Sequence, residues 1–377
     1  MHFSWFDVLV LVGIIQGVIT SVLLFSQKPR PANSILPWML LVTVVLNGKI
    51  LIHTLGLWNT PLFRYFPLAL DLAIQPLVYL YVVSITQARR NLVRLAVIHL
   101  SLPALLMGHA LLVYSQVLSV DNLAAKVQLA AYFRYDTVKQ FEDYLSVLSF
   151  ILYTGLAIRQ LHAYRRWLND TVSDASYPTY TWLRNLLRLM GGLTALLGLN
   201  IVLDYGFHYG QTSFLHWQLF YLLLTVIIYY IGVRGYQQTV FPQLPTTSTA
   251  LVPKPEPLER VPVQKIQLIQ ADIRRLLKEE TIYRDPTLTV SQLARQLNLS
   301  PNLISYTLSQ SFGKSFRDLI NEYRVEEVKQ RLGDPTWAHL SILGIALESG
   351  FNSEASFYRI FKKHTGQSPK AYQLTKA

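Results

Sequence analysis

Cysteine is absent from the 377 residues, which excludes disulfides and thiolate metal sites. Charge is scarce as well: 15% of residues are Asp, Glu, Lys or Arg, against about a quarter in a soluble domain. Neither His-Glu-x-x-His nor Gly-x-Ser-x-Gly occurs, so the common metalloprotease and hydrolase signatures are missing. Gly313-Lys314-Ser315 mimics the end of a phosphate loop, but Leu308 stands where its earlier glycine belongs. His53, His99, His109, His162, His208 and His216 are scattered rather than spaced as ligands. Asp7, Asp71 and Asp204, in or beside apolar runs, show no spacing specific to an intramembrane protease. No metal, cofactor or enzymatic activity is expected.

Apolar residues make up 51% of the chain and concentrate in its first two-thirds. A membrane-crossing helix needs about 20 mostly apolar residues. Seven stretches qualify: 6–25, 35–57, 65–85, 95–117, 144–161, 183–203 and 215–233. The first has no Lys or Arg ahead of it and is too long for a signal-peptide core, so it reads as retained. Lys and Arg in the loops set the orientation. Lys28, Arg30, Arg89, Arg90, Arg94, Arg159, Arg165, Arg166 and Arg184 fall on one side, Arg64, Lys126, Arg134 and Lys139 on the other. The richer side is cytoplasmic, which puts the N-terminus outside and the C-terminal part inside. The expectation is a multi-pass protein of the cell inner (cytoplasmic) membrane.

A linker follows over 237–262, with prolines at 242, 245, 253, 255, 257 and 262. Such a spacer is semi-extended, at about 3.1 Å per residue. Next, Ile266, Ile269, Ile273, Leu276 and Leu277 recur at helical spacing with Arg274, Arg275 and Lys278 opposite, as in a packing helix that opens a domain. The net charge is +12, and residues 263–377 hold 16 of the 34 basic and 11 of the 22 acidic residues. The basic excess is therefore shared by both parts, and it suits phosphate of nucleic acid or of lipid headgroups.

The last third contains one local pattern twice. Leu293-Ala294-Arg295-Gln296-Leu297-Asn298-Leu299-Ser300 precedes a helix-like run from Pro301, and Ile345-Ala346-Leu347-Glu348-Ser349-Gly350-Phe351-Asn352 precedes another from Ser353. In each, Asn298 or Gly350 stands four residues after the alanine, where a tight corner needs a left-handed residue. Leu299 or Phe351 plugs the corner, and Ser300 or Ser353 caps the second helix. That is the helix-turn-helix design, expected over about 289–311 and again over about 342–364.

Gly350-Phe351-Asn352-Ser353, Ser356 to Lys363, Gly366-Gln367-Ser368-Pro369 and Tyr372 resemble the AraC/XylS family of bacterial transcription regulators. The stretch Phe316-Arg317-Asp318-Leu319-Ile320-Asn321-Glu322-Tyr323-Arg324-Val325-Glu326 resembles that family's long connecting helix. The likeness runs from Gln264 to the end. Gln373 stands where the family usually has Arg, Tyr306 where a basic residue is common, and Leu308 where Phe is common. The resemblance implies a regulator whose partner is double-stranded DNA.

The expected fold is all-α: a seven-helix membrane domain over 1–236, the linker over 237–262, and a cytoplasmic tandem helix-turn-helix domain over 263–377. Asn302, Ser305, Tyr306 and Ser309 supply hydrogen bonders for base edges. In the second unit, Ser353, Ser356, Arg359, Lys362 and Lys363 are assigned to DNA, the last three as a cationic strip for phosphate. In the membrane part, Lys49 and His53 share one helical face, and so do Asp71 and Gln75. Ionisable groups at such depth are costly and usually face a partner or a cavity. Besides DNA, the expected partners are the lipid bilayer, a small-molecule or protein signal, and a second copy of the chain. The competing reading is a membrane receptor or transporter-like protein whose C-terminal module binds a protein partner.

Overall fold

The computed structural model describes residues 4–27, 31–87, 91–173, 180–211, 213–238 and 261–376. Among them the fold is all-helical, with a single isolated β-bridge between Val172 and Thr289. The linker expected over 237–262 lies outside the described residues between 239 and 260, as do the loop cations Lys28, Arg30, Arg89 and Arg90. The chain divides into two compact units, one of residues 1–161 and 180–241, the other of residues 162–179 and 242–377.

The first unit contains α1 (Trp5–Phe25), α2 (Pro31–Thr54), α3 (Ile74–Thr86), α4 (Leu92–Leu118), α5 (Leu123–Tyr132), α7 (Thr181–Ile201) and α8 (Leu215–Gln238). It also holds α6 (Tyr135–Thr171) as far as Leu161. A capping box between Ser4 and Asp7 starts α1. Helix α1 packs on α2 and α8, and two glycines let the backbones approach. A Cβ on Gly13 would lie 2.5 Å from the Thr225 methyl, and one on Gly17 would collide with Val44 and Ile228. Asn47 Nδ2 donates to Thr225 Oγ1 at 2.9 Å inside the same bundle.

Helices α1, α2, α4, α6, α7 and α8 are long and apolar enough to cross a membrane. Much of their apolar surface faces outward, including Leu105, Leu148 and Ile151. The expected third span, 65–85, is shorter: its helix covers Asp71–Thr86 and residues 66–70 are non-helical. Pro67 disfavours helical geometry at Phe66, and Asp71 is engaged by lysines of other helices. The expected outer loop after α4 is also helical, being α5 and the start of α6. Two cations assigned to that loop are internal: Lys126 is buried and donates to the Val117 carbonyl at 2.5 Å, and Lys139 joins Asp71.

The second unit holds α9 (Val263–Lys278), α10 (Val290–Gln296), α11 (Pro301–Thr307), α12 (Phe316–Leu332), α13 (Ile342–Glu348), α14 (Glu354–Thr365) and α15 (Pro369–Lys376). Its core has two parts. Ile269, Ile273, Leu276 and Leu277 of α9 pack with Leu293, Ala294, Ile304 and Leu308 around the first corner. Ile345, Ala346, Phe351, Phe357 and Phe361 pack around the second. Helix α12 belongs to both, giving Phe316, Leu319 and Ile320 to one and Val325, Val328 and Leu332 to the other. That shared helix fixes the two corners in one body.

Candidate functional site

The two corners have the same hydrogen bonds. Asn298 has φ +54° and Gly350 φ +92°. The next residue's amide then reaches back to the alanine carbonyl: Leu299 N to Ala294 O at 2.9 Å, Phe351 N to Ala346 O at 3.1 Å. This left-handed closure satisfies carbonyls that a helix end leaves open. Ser300 Oγ accepts from Leu303 N at 3.3 Å, and Ser353 Oγ accepts from Ser356 N at 3.4 Å. A Cβ at Gly350 would stand 2.5 Å from the Tyr283 carbonyl oxygen and 2.9 Å from Arg284 Cα. The second corner is thus pressed against the chain just before the first.

The second helices of the two corners present different chemistry. Helix α11 and the wider π-type turn Leu308–Phe312 leave Asn302, Ser305 and Tyr306 half-buried and Ser309 exposed. Helix α14 exposes Tyr358, Arg359, Lys362 and Lys363 along one face. Ser353 is spent on its cap, and Ser356 is buried at 6% exposure, on the core side. Tyr358, absent from the sequence-based assignment, stands on the cationic face; its place beside Arg359 was the available signal. Lys363 Nζ also reaches Asp318 Oδ1 of α12 at 3.0 Å. Partial burial would raise the Asp318 carboxyl, but hydrogen bonds from Lys363 and Ser315 outweigh it and hold it below the usual range.

Polar groups of α12 organise the space between the corners. Glu327 takes Arg284 Nε on Oε2 at 3.1 Å and pairs with Arg331, whose guanidinium lies 3.9 Å over the Trp337 ring. Burial, then the hydrogen bond with Glu327, pushes the Tyr283 phenol up to about 12.

Residues 162–179 also belong to this unit, which the division expected from sequence did not anticipate. Ser173, fully buried, donates from N and Oγ to the Leu288 carbonyl at 3.2 and 2.7 Å. Arg317 Nε donates to Val172 O at 3.0 Å, and the second terminal nitrogen of Arg324 donates to Ser173 Oγ at 3.1 Å. Arg324 Nε meanwhile holds Tyr283 O at 2.7 Å. Leu288 and Thr289 immediately precede α10, so this short strap is built into the start of the first helix-turn-helix.

In the first unit, Lys49 Nζ lies 3.3 Å from Asp71 Oδ2. Lys139 Nζ lies 2.7 Å from Asp71 Oδ2, 2.8 Å from Glu142 Oε2 and 3.1 Å from Asp143 Oδ1. His53 stacks on Trp58 and Phe214, and with Lys49 it lines a cavity of about 240 Å³. Gln75 is not in that cavity; it lines a smaller one with Asp71 and Leu224. Lys139, Glu142 and Asp143 were missed because the fifth span was begun at residue 144. Their 3- and 4-residue spacing marks one helical face once α6 is extended upstream. Among the described residues no group of His, Cys, Asp and Glu is placed to hold a metal.

Residues 293–375 match the family model described as "Helix-turn-helix domain". An uncharacterized HTH-type transcriptional regulator of Staphylococcus aureus (strain MSSA476) is 37% identical over 86 residues, 23% of this chain and 11% of that protein. The melibiose operon regulatory protein of Escherichia coli (strain K12) is 32% identical over 89 residues, 24% of this chain and 28% of its own. The chain thus spans about a tenth to somewhat over a quarter of these relatives' length. A solved structure of a protein of unknown function from Listeria innocua aligns with 31% of this chain and all of its own, at 25% identity and a TM-score of 0.26. The C-terminal domain is a helix-turn-helix domain of the AraC type.

Proposed function

We propose that this chain is a membrane-embedded, sequence-specific DNA-binding transcription regulator that couples a signal sensed by its transmembrane helices to promoter binding. The observation that carries the reading is the doubled corner on one shared helix. Two helix-turn-helix units fixed by α12 suit successive major grooves, about 34 Å apart on one face of a duplex. Arg359, Lys362 and Lys363 supply phosphate contact, and Asn302, Ser305, Tyr306 and Ser309 supply base-edge contact. The apolar helices favour a bilayer, with the N-terminus outside and the DNA-binding domain in the cytoplasm of a bacterial cell.

Signal transfer is assigned to α6. Its upstream turns carry Lys139, Glu142 and Asp143, and its last residue, Thr171, leads directly into Val172 and Ser173. Movement of that helix must either carry the start of the first helix-turn-helix or break the bonds to Leu288, Arg317 and Arg324. The test is recovery of the full chain, cross-linked in cells, from the membrane fraction. It should bring down a limited set of DNA fragments that share two short elements one helical turn apart. Recovery with membrane but without enriched DNA overturns the reading in favour of a module that binds protein.

A further inference from the structure

The cavity beside Lys49 is bounded by α2, the segment before α3, α4 and α6, and Lys49, Asp136, Lys139 and Glu142 line it. It borders an unbalanced ion cluster whose Asp71 and Asp143 lie outside its lining. Two ammonium groups, Lys49 and Lys139, face three carboxylates, Asp71, Glu142 and Asp143. Lys139 is saturated, with its three donors committed to those three carboxylates. Glu142 is 2% exposed, and its second oxygen, Oε1, is buried with no hydrogen-bond partner among the described residues. A buried carboxylate oxygen left in this state costs free energy unless a donor or a positive charge arrives. The cavity that Glu142 lines also presents the rings of Trp58, Phe66 and Tyr135. Aromatic faces attract cations and accept apolar groups.

We infer that this cavity binds a small organic cation, a protonated amine carrying an apolar or aromatic body. Its ammonium donates to Glu142 Oε1 and supplies the missing positive charge. Its body packs against Trp58, Phe66 and Tyr135. The inference rests on the reading of the transmembrane helices as a sensor and gives that sensor a ligand class. An anionic ligand is disfavoured because it would deepen the negative excess, although Asp71 is the single ion-pair partner of Lys49 among the described residues. The cavity volume of about 240 Å³ limits the ligand to a small molecule.

Three probes of matched shape test this on the purified full chain in lipid nanodiscs: 2-phenylethylamine, 3-phenylpropionate and 2-phenylethanol. Isothermal titration should give saturable binding for the amine and at least tenfold weaker binding for the acid and the alcohol. Glu142→Gln keeps the size of the side chain and removes its charge, and it should weaken amine binding at least tenfold. Ala69→Leu leaves every charged group in place, fills the cavity and should abolish binding, so a folding defect in the first variant does not decide the matter. Preferred binding of 3-phenylpropionate, equal binding of all three probes, or unchanged binding by both variants overturns the inference. The readout contains no DNA, so failure of the regulator reading and failure of the amine site are seen separately.

Discussion

The two helix-turn-helix units share a backbone design and differ in what holds each one. The first closes on Asn298 and a half-buried Leu299, and the strap at Val172 and Ser173 is stitched to its start. The second closes on Gly350, plugs its corner with a buried Phe351, and carries the longer, cationic α14. Its corner is set by steric fit against Tyr283 and Arg284, whereas the first unit has hydrogen bonds from outside residues 263–377 at Leu288, just ahead of its first helix. A corner made by fit is rigid. A helix start held by the segment that continues the long apolar α6 depends on a few hydrogen bonds. On the proposed function, the second unit would anchor and the first would be the regulated one.

The largest expected effect comes from breaking the fit. Phe351→Ala should cost roughly 3–5 kcal/mol, the range for emptying a buried aromatic site. Gly350→Ala should cost about 1–3 kcal/mol from backbone strain alone, with displacement of the Tyr283 carbonyl in addition. Asn298→Ala, which keeps a residue with a Cβ at a left-handed position, should cost about 1 kcal/mol. Urea unfolding read by near-UV circular dichroism of the full chain in nanodiscs ranks the three. Equal losses at both corners would remove the distinction.

Removing the strap's hydroxyl comes next. Ser173→Ala takes away an acceptor of the buried Arg324 guanidinium and a donor to Leu288, worth about 1–3 kcal/mol. Hydrogen exchange should accelerate over 289–296 and stay unchanged over 342–365. Uniform acceleration of both units would mean that the strap stabilises the whole domain rather than gating one corner.

DNA contact should separate the units in kind. Asn302→Ala should relax preference at one base pair, at roughly 1–3 kcal/mol. Arg359→Ala should weaken binding to every sequence and flatten the dependence of log K on log salt by about one unit. Anisotropy titrations over a salt series, on specific and scrambled duplexes, resolve the two behaviours.

The smallest effect is electrostatic. Hydrogen bonds from Lys363 and Ser315 and the nearby charge of His364 keep the Asp318 carboxyl lower in the folded state than in the unfolded one. The stabilisation is therefore present above the unfolded value of about 4 and fades as pH falls through the lower, folded value. Both side chains are well exposed, so solvent screens the pair. Lys363→Met should raise the Asp318 titration seen by NMR; no movement would mean that Ser315 alone holds it.

Sequence carried the corners because they are local. A left-handed residue, a plug and a cap within a few positions leave a readable pattern, and Gly350, Phe351 and Ser353 occupy those roles. The packing helix α9 was legible for the same reason, through its period. The strap was not legible, because Ser173 has no pattern of its own and its partners at Leu288, Asn321 and Arg324 are more than a hundred residues away. The third apolar stretch is helical only from Asp71, because hydropathy counts Phe66 to Leu70 as apolar without registering the proline that interrupts them. Lys139 counts by sequence as a loop cation of the outer side, because only tertiary packing brings Asp71, Glu142 and Asp143 around it.

Hydroxyl-radical footprinting with the full chain in nanodiscs tests the central claim most directly. On a fragment recovered from cells, the account predicts two protected patches about one helical turn, roughly 34 Å, apart on one face of the duplex. Phe351→Ala should erase the patch of the second unit and Asn302→Ala should weaken the patch of the first. Absence of protection at low salt, or a single patch indifferent to both substitutions, contradicts it.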